Sequence, residues 1–399
     1  MDTVANDPKS DAGLGRHHHS ITDLEKAQSQ SSNDDQPQRG GEGSNDHELA
    51  DQPPPPFKGL SYLDRFLVVW IILAMAIGIL LGNFVPGTGE ALQRGTFVGV
   101  SVPIAVGLLV MMYPILCKVR FETLHLLLRE KALWKQIAIS FVLNWIVAPL
   151  FMTALAWAFL PDRQGLRDGL IFVGVARCIA MVLIWTDLAG GDGDYCAVLV
   201  AFNSILQMVL FAPFAVFYVK VVSHDNSEFD SDLYKDSARS VAVFLGIPLG
   251  AAVVTRLVLR KLLGEHKYQH YFIRFIGPFS LIGLLYTIIV LFASQGLHVV
   301  EQITSVLRVA APLVVYFLVI FSFTASLMWK FGFGYRVSAT QSFTAASNNF
   351  ELAIAVVVAT YGAGSQEALA ATVGPLIEVP VLIALVYVAK YARKRWHWE

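Results

Sequence analysis

From about residue 63 to residue 390, apolar runs of roughly twenty residues follow one another with short polar breaks between them. A helix needs about that length of apolar sequence to cross the hydrocarbon of a bilayer. Ten such windows lie near 63–85, 98–116, 134–159, 170–188, 196–219, 239–260, 273–294, 306–329, 338–360 and 368–390. They predict an all-α integral membrane protein with ten transmembrane helices. Residues 1–56 are different, being rich in Asp, Gln, Ser, Gly and Pro without an apolar run. A disordered tail is expected there, ahead of a ten-span domain over 57–399. The tail lacks the apolar region of a secretory signal. Its His17, His18 and His19 read as a solvated low-complexity tract and not as a metal site.

Ten spans divide into two fives, about 60–220 and 238–390. A duplicated half with an odd number of spans must re-enter the membrane with opposite orientation. Two short matches suggest such a duplication: PIAVGLL from Pro103 recurs as PFSLIGLL from Pro278, and SILQ ending at Gln207 faces PLIE ending at Glu378. Cys178 and Glu351 also lie in the fourth span of each half. The expected architecture is two inverted five-helix repeats, the plan of many secondary transporters.

Polar residues within the apolar windows sharpen this. Charged groups at membrane depth are costly and mark functional positions by default. Span four carries Arg177 and Cys178, span five carries Asn203 and Gln207 at i,i+4, span nine carries Asn348, Asn349 and Glu351, span ten carries Glu378, and span three adds Asn144. Ser347, Asn348 and Asn349 favour caps and turns over helix interiors. An interruption of span nine is therefore expected, with Glu351 in the first turn of the second half-helix, where the positive end of the dipole favours a carboxylate. The stretch GVARCIA (174–180) predicts a matching break in span four, loosened by Gly174. Two interrupted helices crossing near the midplane would frame a binding site. Plainer roles stand beside these. Asn203 and Gln207 can serve as interhelical hydrogen-bonding glue, and Arg177 can pair structurally with Glu351 or Glu378. Cys178 can be a small buried hydrophobe, although an adjacent arginine favours the thiolate.

Composition agrees: 55% of residues are apolar, and mean hydropathy is +0.54 despite the tail. The three cysteines have no CxxC spacing, which excludes a disulfide scaffold or a zinc site; Cys117 and Cys196 read as packing residues. The formal charge of -1 carries no information, but the distribution of Lys and Arg does. Clusters such as Lys118, Arg120, Arg129, Lys131 and Lys135, or Arg256, Arg260 and Lys261, fall on one side of the predicted topology. That side is the cytoplasm, and both termini are expected there. With neither HExxH nor GxSxG in the spans, no enzyme is expected, and no cofactor or nucleic-acid partner.

The blocks PILCKVRFE (114–122), GVARCIAMVLIWTDLAGGDGDYCAVLVAFNSILQMVLFAPFAVFY (174–218), ASNNFELAIAV (346–356) and VGPLIEVPVLIALVYV (373–388) closely resemble the arsenical-resistance family of arsenite carriers. That family belongs to the bile acid, arsenite and riboflavin transporter superfamily. The likeness covers about 60–390. It implies that Cys178 binds arsenite and that Glu351 carries the proton. The expected substrate-binding set is Cys178, Arg177, Asn203, Trp185 and Asn349, and the proton-coupling set is Glu351 and Glu378. The long tail, the PILCKV block and the acidic loop after span five look more like the fungal branch, which implies the plasma membrane. The expected function is efflux of arsenite, and of antimonite as a further candidate, in exchange for protons. The alternative on the same fold is a sodium-coupled importer of organic anions.

Overall fold

The computed structural model describes residues 66–119, 121, 131–223, 231–301, 303–396 and 398. The tail expected over 1–56, with His17, His18 and His19, lies outside the described residues. Segments one and two are α1 (Leu67–Phe84) and α2 (Val102–Cys117). Segment three is α3 (Leu133–Phe159). Segment four consists of two helices, α4 (Gln164–Val175) and α5 (Met181–Ala189). Then come α6 (Gly193–Val222), α7 (Asp232–Leu263), α8 (Glu265–Ser294) and α9 (Ile303–Lys330). Segment nine is again divided, into α10 (Tyr335–Ala346) and α11 (Phe350–Tyr361), and segment ten is α12 (Gln366–Trp396). Each predicted window falls on one of these segments. Among the described residues, six helices are long and apolar enough to cross a bilayer, namely α3, α6, α7, α8, α9 and α12. The chain is an all-α multi-pass membrane protein.

Two of the departures from α geometry stand just ahead of prolines. Pro149 and Pro248 each follow a short π-helical stretch, Leu143–Val147 and Ala242–Gly246. A proline has no N–H to offer the carbonyl four residues back. In α3 that carbonyl belongs to Trp145, and the Tyr218 hydroxyl of α6 donates to it at 3.4 Å. The sequence defect becomes an interhelical tie, as backbone in lipid must find partners within the protein.

Packing sorts the segments into two bundles. In one, α8 packs along α1 and α2, and α7 packs on α2. In the other, α4 packs on α3 and on α12, α10 on α9, α5 on α6, and α11 on α12. Many of these pairs exchange when each segment is replaced by the one five places away: α8 on α1 becomes α2 on α7, α4 on α3 becomes α10 on α9, and α5 on α6 becomes α11 on α12. The crossing of α2 with α8 repeats the exchange at atomic scale. A Cβ on Gly107 would strike the Thr287 side chain at 2.3 Å, and one on Gly283 would strike Met111 at 2.8 Å. These contacts are related by the same offset, since Gly107 precedes Gly283 by as much as Met111 precedes Thr287.

Asp162, in the turn between α3 and α4, accepts two hydrogen bonds from the Arg308 guanidinium of α9, one of them at 2.9 Å. Arg308 holds its carboxyl down at about 2, far below the usual carboxylate range. A depressed folded-state value contributes above the unfolded value and is lost only as pH falls toward 2. The tie therefore holds through the physiological range, and solvent screening keeps it weak.

Candidate functional site

Segments four and nine are interrupted where the polar residues concentrate, and the two gaps meet. Arg177 and Asn348 form an isolated antiparallel bridge, and the Asn349 N–H donates to the Ala176 carbonyl at 3.1 Å. The break in span nine covers the predicted residues Ser347, Asn348 and Asn349. The break in span four covers Ala176 to Ala180, two residues past Gly174. Gly174 lies inside α4, and its role differs from the loosening expected of it. A Cβ there would meet Met152 at 2.7 Å, so it serves the close approach of α4 to α3.

Interrupting two helices in an apolar medium exposes four helix ends, and the side chains at the crossing serve them in a regular way. The two C-terminal ends, those of α4 and α10, are bound by Arg177, which donates to the Gly174 carbonyl and, at 3.5 Å, to the Ala345 carbonyl. Tyr316 of α9 accepts from the same guanidinium at 3.2 Å. A cation across two negative dipole ends is favourable. Among the described residues Arg177 forms no ion pair with Glu351 or Glu378, the pairing that its position suggested: the guanidinium donates to carbonyls and a tyrosine, and only its Nε is left without a partner there. The two N-terminal ends are capped from within. The Val182 N–H of α5 donates to the Cys178 sulfur at 3.3 Å, and the Leu352 N–H of α11 donates to Asn349 Oδ1 at 3.1 Å. The gaps are themselves pinned from segments five and ten: the Arg177 N–H donates to Gln207 Oε1 at 2.9 Å, and the Asn348 N–H to Glu378 Oε1 at 3.4 Å.

Arg177 and Asn348, Cys178 and Asn349, and Gln207 and Glu378 are all related by the same shift of 171 positions. The structural counterpart of Cys178 is therefore Asn349. Pairing Cys178 with Glu351, as the sequence suggested, is out of register by two, and the residue equivalent to Glu351 is Ala180.

Glu351 sits in the first turn of α11 as expected. It is half-buried and lines a cavity of about 100 Å³ between the two bundles, with Ala180 and Met181 beside it. Cys178 is buried at the edge of this region and is not part of the cavity's lining. Glu378 is fully inside, accepting from the Ser347 hydroxyl. Asn203 Oδ1 accepts from Trp145 Nε1 at 3.4 Å. Several buried polar atoms here have no partner among the described residues: Asn203 Nδ2, Gln207 Nε2, Asn349 Nδ2, Trp185 Nε1 and Asn348 Oδ1. Buried orphans are rare and call for a water or ligand. Of the remaining thiols, Cys196 accepts from the Thr186 hydroxyl at 3.3 Å, and Cys117 is buried near Tyr268, whose hydroxyl donates to its carbonyl at 2.9 Å. Sequence reasoning missed Tyr316, because a lone tyrosine in an apolar helix gives no signal of what its hydroxyl meets.

Two substitutions probe the crossing. Arg177→Ala is expected to impair transport and assembly more than Arg177→Lys, since lysine keeps the charge but cannot span two carbonyls and a tyrosine. Neutralising Glu351 or Glu378 in the same chain should restore nothing, which transport assays of the double variants will check. A Cβ on Gly374 of α12 would lie 1.7 Å from the Phe350 ring at the start of α11. Gly374→Ala is therefore expected to cost about 1–3 kcal/mol by overpacking, read as a lower melting temperature of the detergent-solubilised protein.

Residues 105–302 match the sodium/bile acid symporter family. The chain is 48% identical over 334 residues to the arsenical-resistance protein Acr3 of Corynebacterium glutamicum, covering 82% of this chain and 89% of that protein. It is 29% identical over 356 residues to the arsenical-resistance protein Acr3 of Alkaliphilus metalliredigens, covering 86% and 95%. An uncharacterized transporter of Synechocystis is 31% identical over 353 residues, covering 83% and 89%. With 48% identity over 82% of its length, the chain belongs to the Acr3 arsenical-resistance family, whose members are transporters and not enzymes.

Proposed function

We propose that this protein exports arsenite across the plasma membrane in exchange for protons, with the substrate held at the crossing of segments four and nine. The observation that carries the reading is the meeting of the two interruptions, which sets a buried thiol, Cys178, and a half-buried carboxyl, Glu351, at the starts of the two second half-helices. Trivalent arsenic is a soft centre suited to sulfur. Arsenous acid is neutral and carries hydroxyls, and the orphan donors of Asn203, Trp185 and Asn349 suit hydroxyl oxygens. An arsenate carrier would want guanidinium groups open to the ligand; here Arg177 is occupied mostly by backbone carbonyls. The names of the Corynebacterium and Alkaliphilus relatives support the substrate class, and the likeness to the fungal branch supports the plasma membrane.

The second reading is sodium-coupled import of organic anions. The unpartnered Asn348 Oδ1, close to Glu351 in sequence, is the hard oxygen that favours it. Arsenite uptake into everted vesicles separates the two. The proposed reading expects accumulation when a proton gradient is imposed and no response to replacing sodium by potassium; a sodium requirement would decide for the other. Antimonite, of similar softness, is expected to compete in the same assay. Deletion of residues 1–55 should leave the vesicle activity intact, since the segment cannot bury a core. An inactive but correctly located truncation would make the tail part of the mechanism.

A further inference from the structure

The crossing of segments four and nine is built from two related halves that differ in their chemistry. Because Arg177 and Asn348 face each other in an antiparallel bridge, the pairs on either side of it are Cys178 with Ser347 and Asn349 with Ala176. The shift of 171 positions that relates the halves turns one pair into the other, and it turns Gln207 into Glu378. Gln207 and Glu378 pin the gaps in the same way, Gln207 Oε1 accepting the Arg177 N–H and Glu378 Oε1 the Asn348 N–H. An amide therefore suffices for the pin. Yet of the two related trios, Asn349, Ala176 and Gln207 hold no thiol, hydroxyl or carboxyl, whereas Cys178, Ser347 and Glu378 hold one of each.

The second trio is also connected. Side chains facing each other across an antiparallel pair have Cβ atoms about 4.5–5.5 Å apart, and the Cys178 thiol lies within hydrogen-bonding reach of Ser347. The Ser347 hydroxyl gives its one proton to Glu378 Oε1, so toward the thiol it presents lone pairs. Donation then runs in one direction, from the Cys178 S–H through Ser347 to Glu378. All three residues are buried, which closes off bulk water as an acceptor for the thiol proton.

We propose that Ser347 and Glu378 form a proton relay for Cys178 that speeds the making and breaking of its bond to arsenic. The step rests on the reading above that arsenite binds Cys178. As arsenous acid docks, the S–H proton passes to Ser347 Oγ while the Ser347 proton passes to the Glu378 carboxylate. A sulfur lone pair forms the S–As bond, and one As–O bond breaks. The departing hydroxide takes the proton back from Glu378 through Ser347 and leaves as water. Thiol and arsenous acid thus give an S–As bond and one water, arsenic stays trivalent, and no net proton is taken up. Release runs the same steps backward. Glu378 ends each cycle as it began, which leaves the proton of exchange to Glu351. Ser347 touches the reacting thiol, and Glu378 acts through it.

A relay lowers a barrier and not its end points, so it moves rates without moving affinity. Association and release of radiolabelled arsenite would be timed on the purified full-length chain, beside its equilibrium binding. Glu378→Gln is isosteric and copies Gln207, so the Asn348 N–H keeps its acceptor; Ser347→Ala copies Ala176. Each is expected to slow association and release by the same factor at an unchanged Kd. That factor should be at least about tenfold, beneath the 10²–10⁴-fold that a directly placed acid–base group contributes. Ser347→Thr keeps the hydroxyl on extended backbone that suits a β-branched residue, and should keep the rates of the parent chain. In heavy water the parent chain itself should exchange arsenite more slowly. Parent-like rates in Glu378→Gln or Ser347→Ala overturn the proposal. A loss of affinity that accounts for slower association also overturns it, since a ligand or a purely structural residue would behave so. Should neither variant fold, the heavy-water measurement decides alone, and equal rates in both waters overturn the relay. Cys178→Ser separates this failure from failure of the underlying reading. Arsenite binding that survives in Cys178→Ser removes the thiol as ligand and the relay with it. Binding that requires Cys178, at rates indifferent to Ser347 and Glu378, leaves the site standing and sinks the relay alone.

Discussion

Cys178→Ser is expected to lower arsenite transport by more than about a hundredfold, beyond the 10–100-fold that loss of an outer-shell partner costs a metal site, while the protein still reaches the membrane. The structure makes this a clean test. The sulfur accepts the Val182 N–H at the start of α5, and a serine hydroxyl is a better cap for that donor than most groups. The half-helix should therefore form as before, and what the substitution removes is softness and nucleophilicity toward arsenic. Cys117→Ser and Cys196→Ser should keep most activity: Cys117 ends α2 beside Tyr113 and Tyr268, where a hydroxyl can take over the thiol's hydrogen bonds, and Cys196 accepts a hydroxyl that serine can also accept. Transport in vesicles, normalised to protein at the membrane, is the measurement. Equal losses in all three variants would point to a three-thiol arsenic site and would sink the single-thiol version.

Glu351→Gln is expected to abolish accumulation against a gradient, at least a tenfold loss and in the limit all of it, while arsenite binding largely survives. Burial disfavours a bare carboxylate, and the N-terminus of α11 favours one. A group held between those influences changes its protonation when the surroundings alternate between the two faces. Glutamine keeps the shape and can still hydrogen-bond, but it cannot carry the charge through a cycle. Glu351→Asp, one methylene shorter, should retain part of the activity. Uptake with and without an imposed proton gradient, next to a binding titration on the same variant, reads both halves of the expectation. Gradient-driven accumulation by Glu351→Gln would place the coupling acid elsewhere, and Glu378, which accepts from Ser347 and the Asn348 N–H at the same crossing, would be next.

The ten segments and both interruptions were legible because they rest on local chemistry. Apolar length sets a membrane crossing, and Ser347, Asn348 and Asn349 resist a helix interior wherever they are placed. The N-terminal position of Glu351 follows from the same stretch. For the break in segment four the signal was weaker, and it led to Gly174, whose reason is a contact with Met152 that no local pattern reveals.

What the sequence alone determined is thus the number of crossings, where two of them break, and which thiol and which acids lie at those breaks; each follows from the solvent a residue can tolerate and the backbone it permits. What only the tertiary structure decided is who meets whom. Arg177 binds the carbonyls of two helix ends and, among the described residues, no carboxylate, Asn349 and not Glu351 is the counterpart of Cys178, Tyr316 completes the crossing from α9, and Lys118 shares a cavity with Glu351 across the seam of two bundles. These are pairings between residues far apart in the chain. An unsatisfied donor or acceptor in an apolar medium takes the nearest complementary group, and folding alone determines which group is nearest.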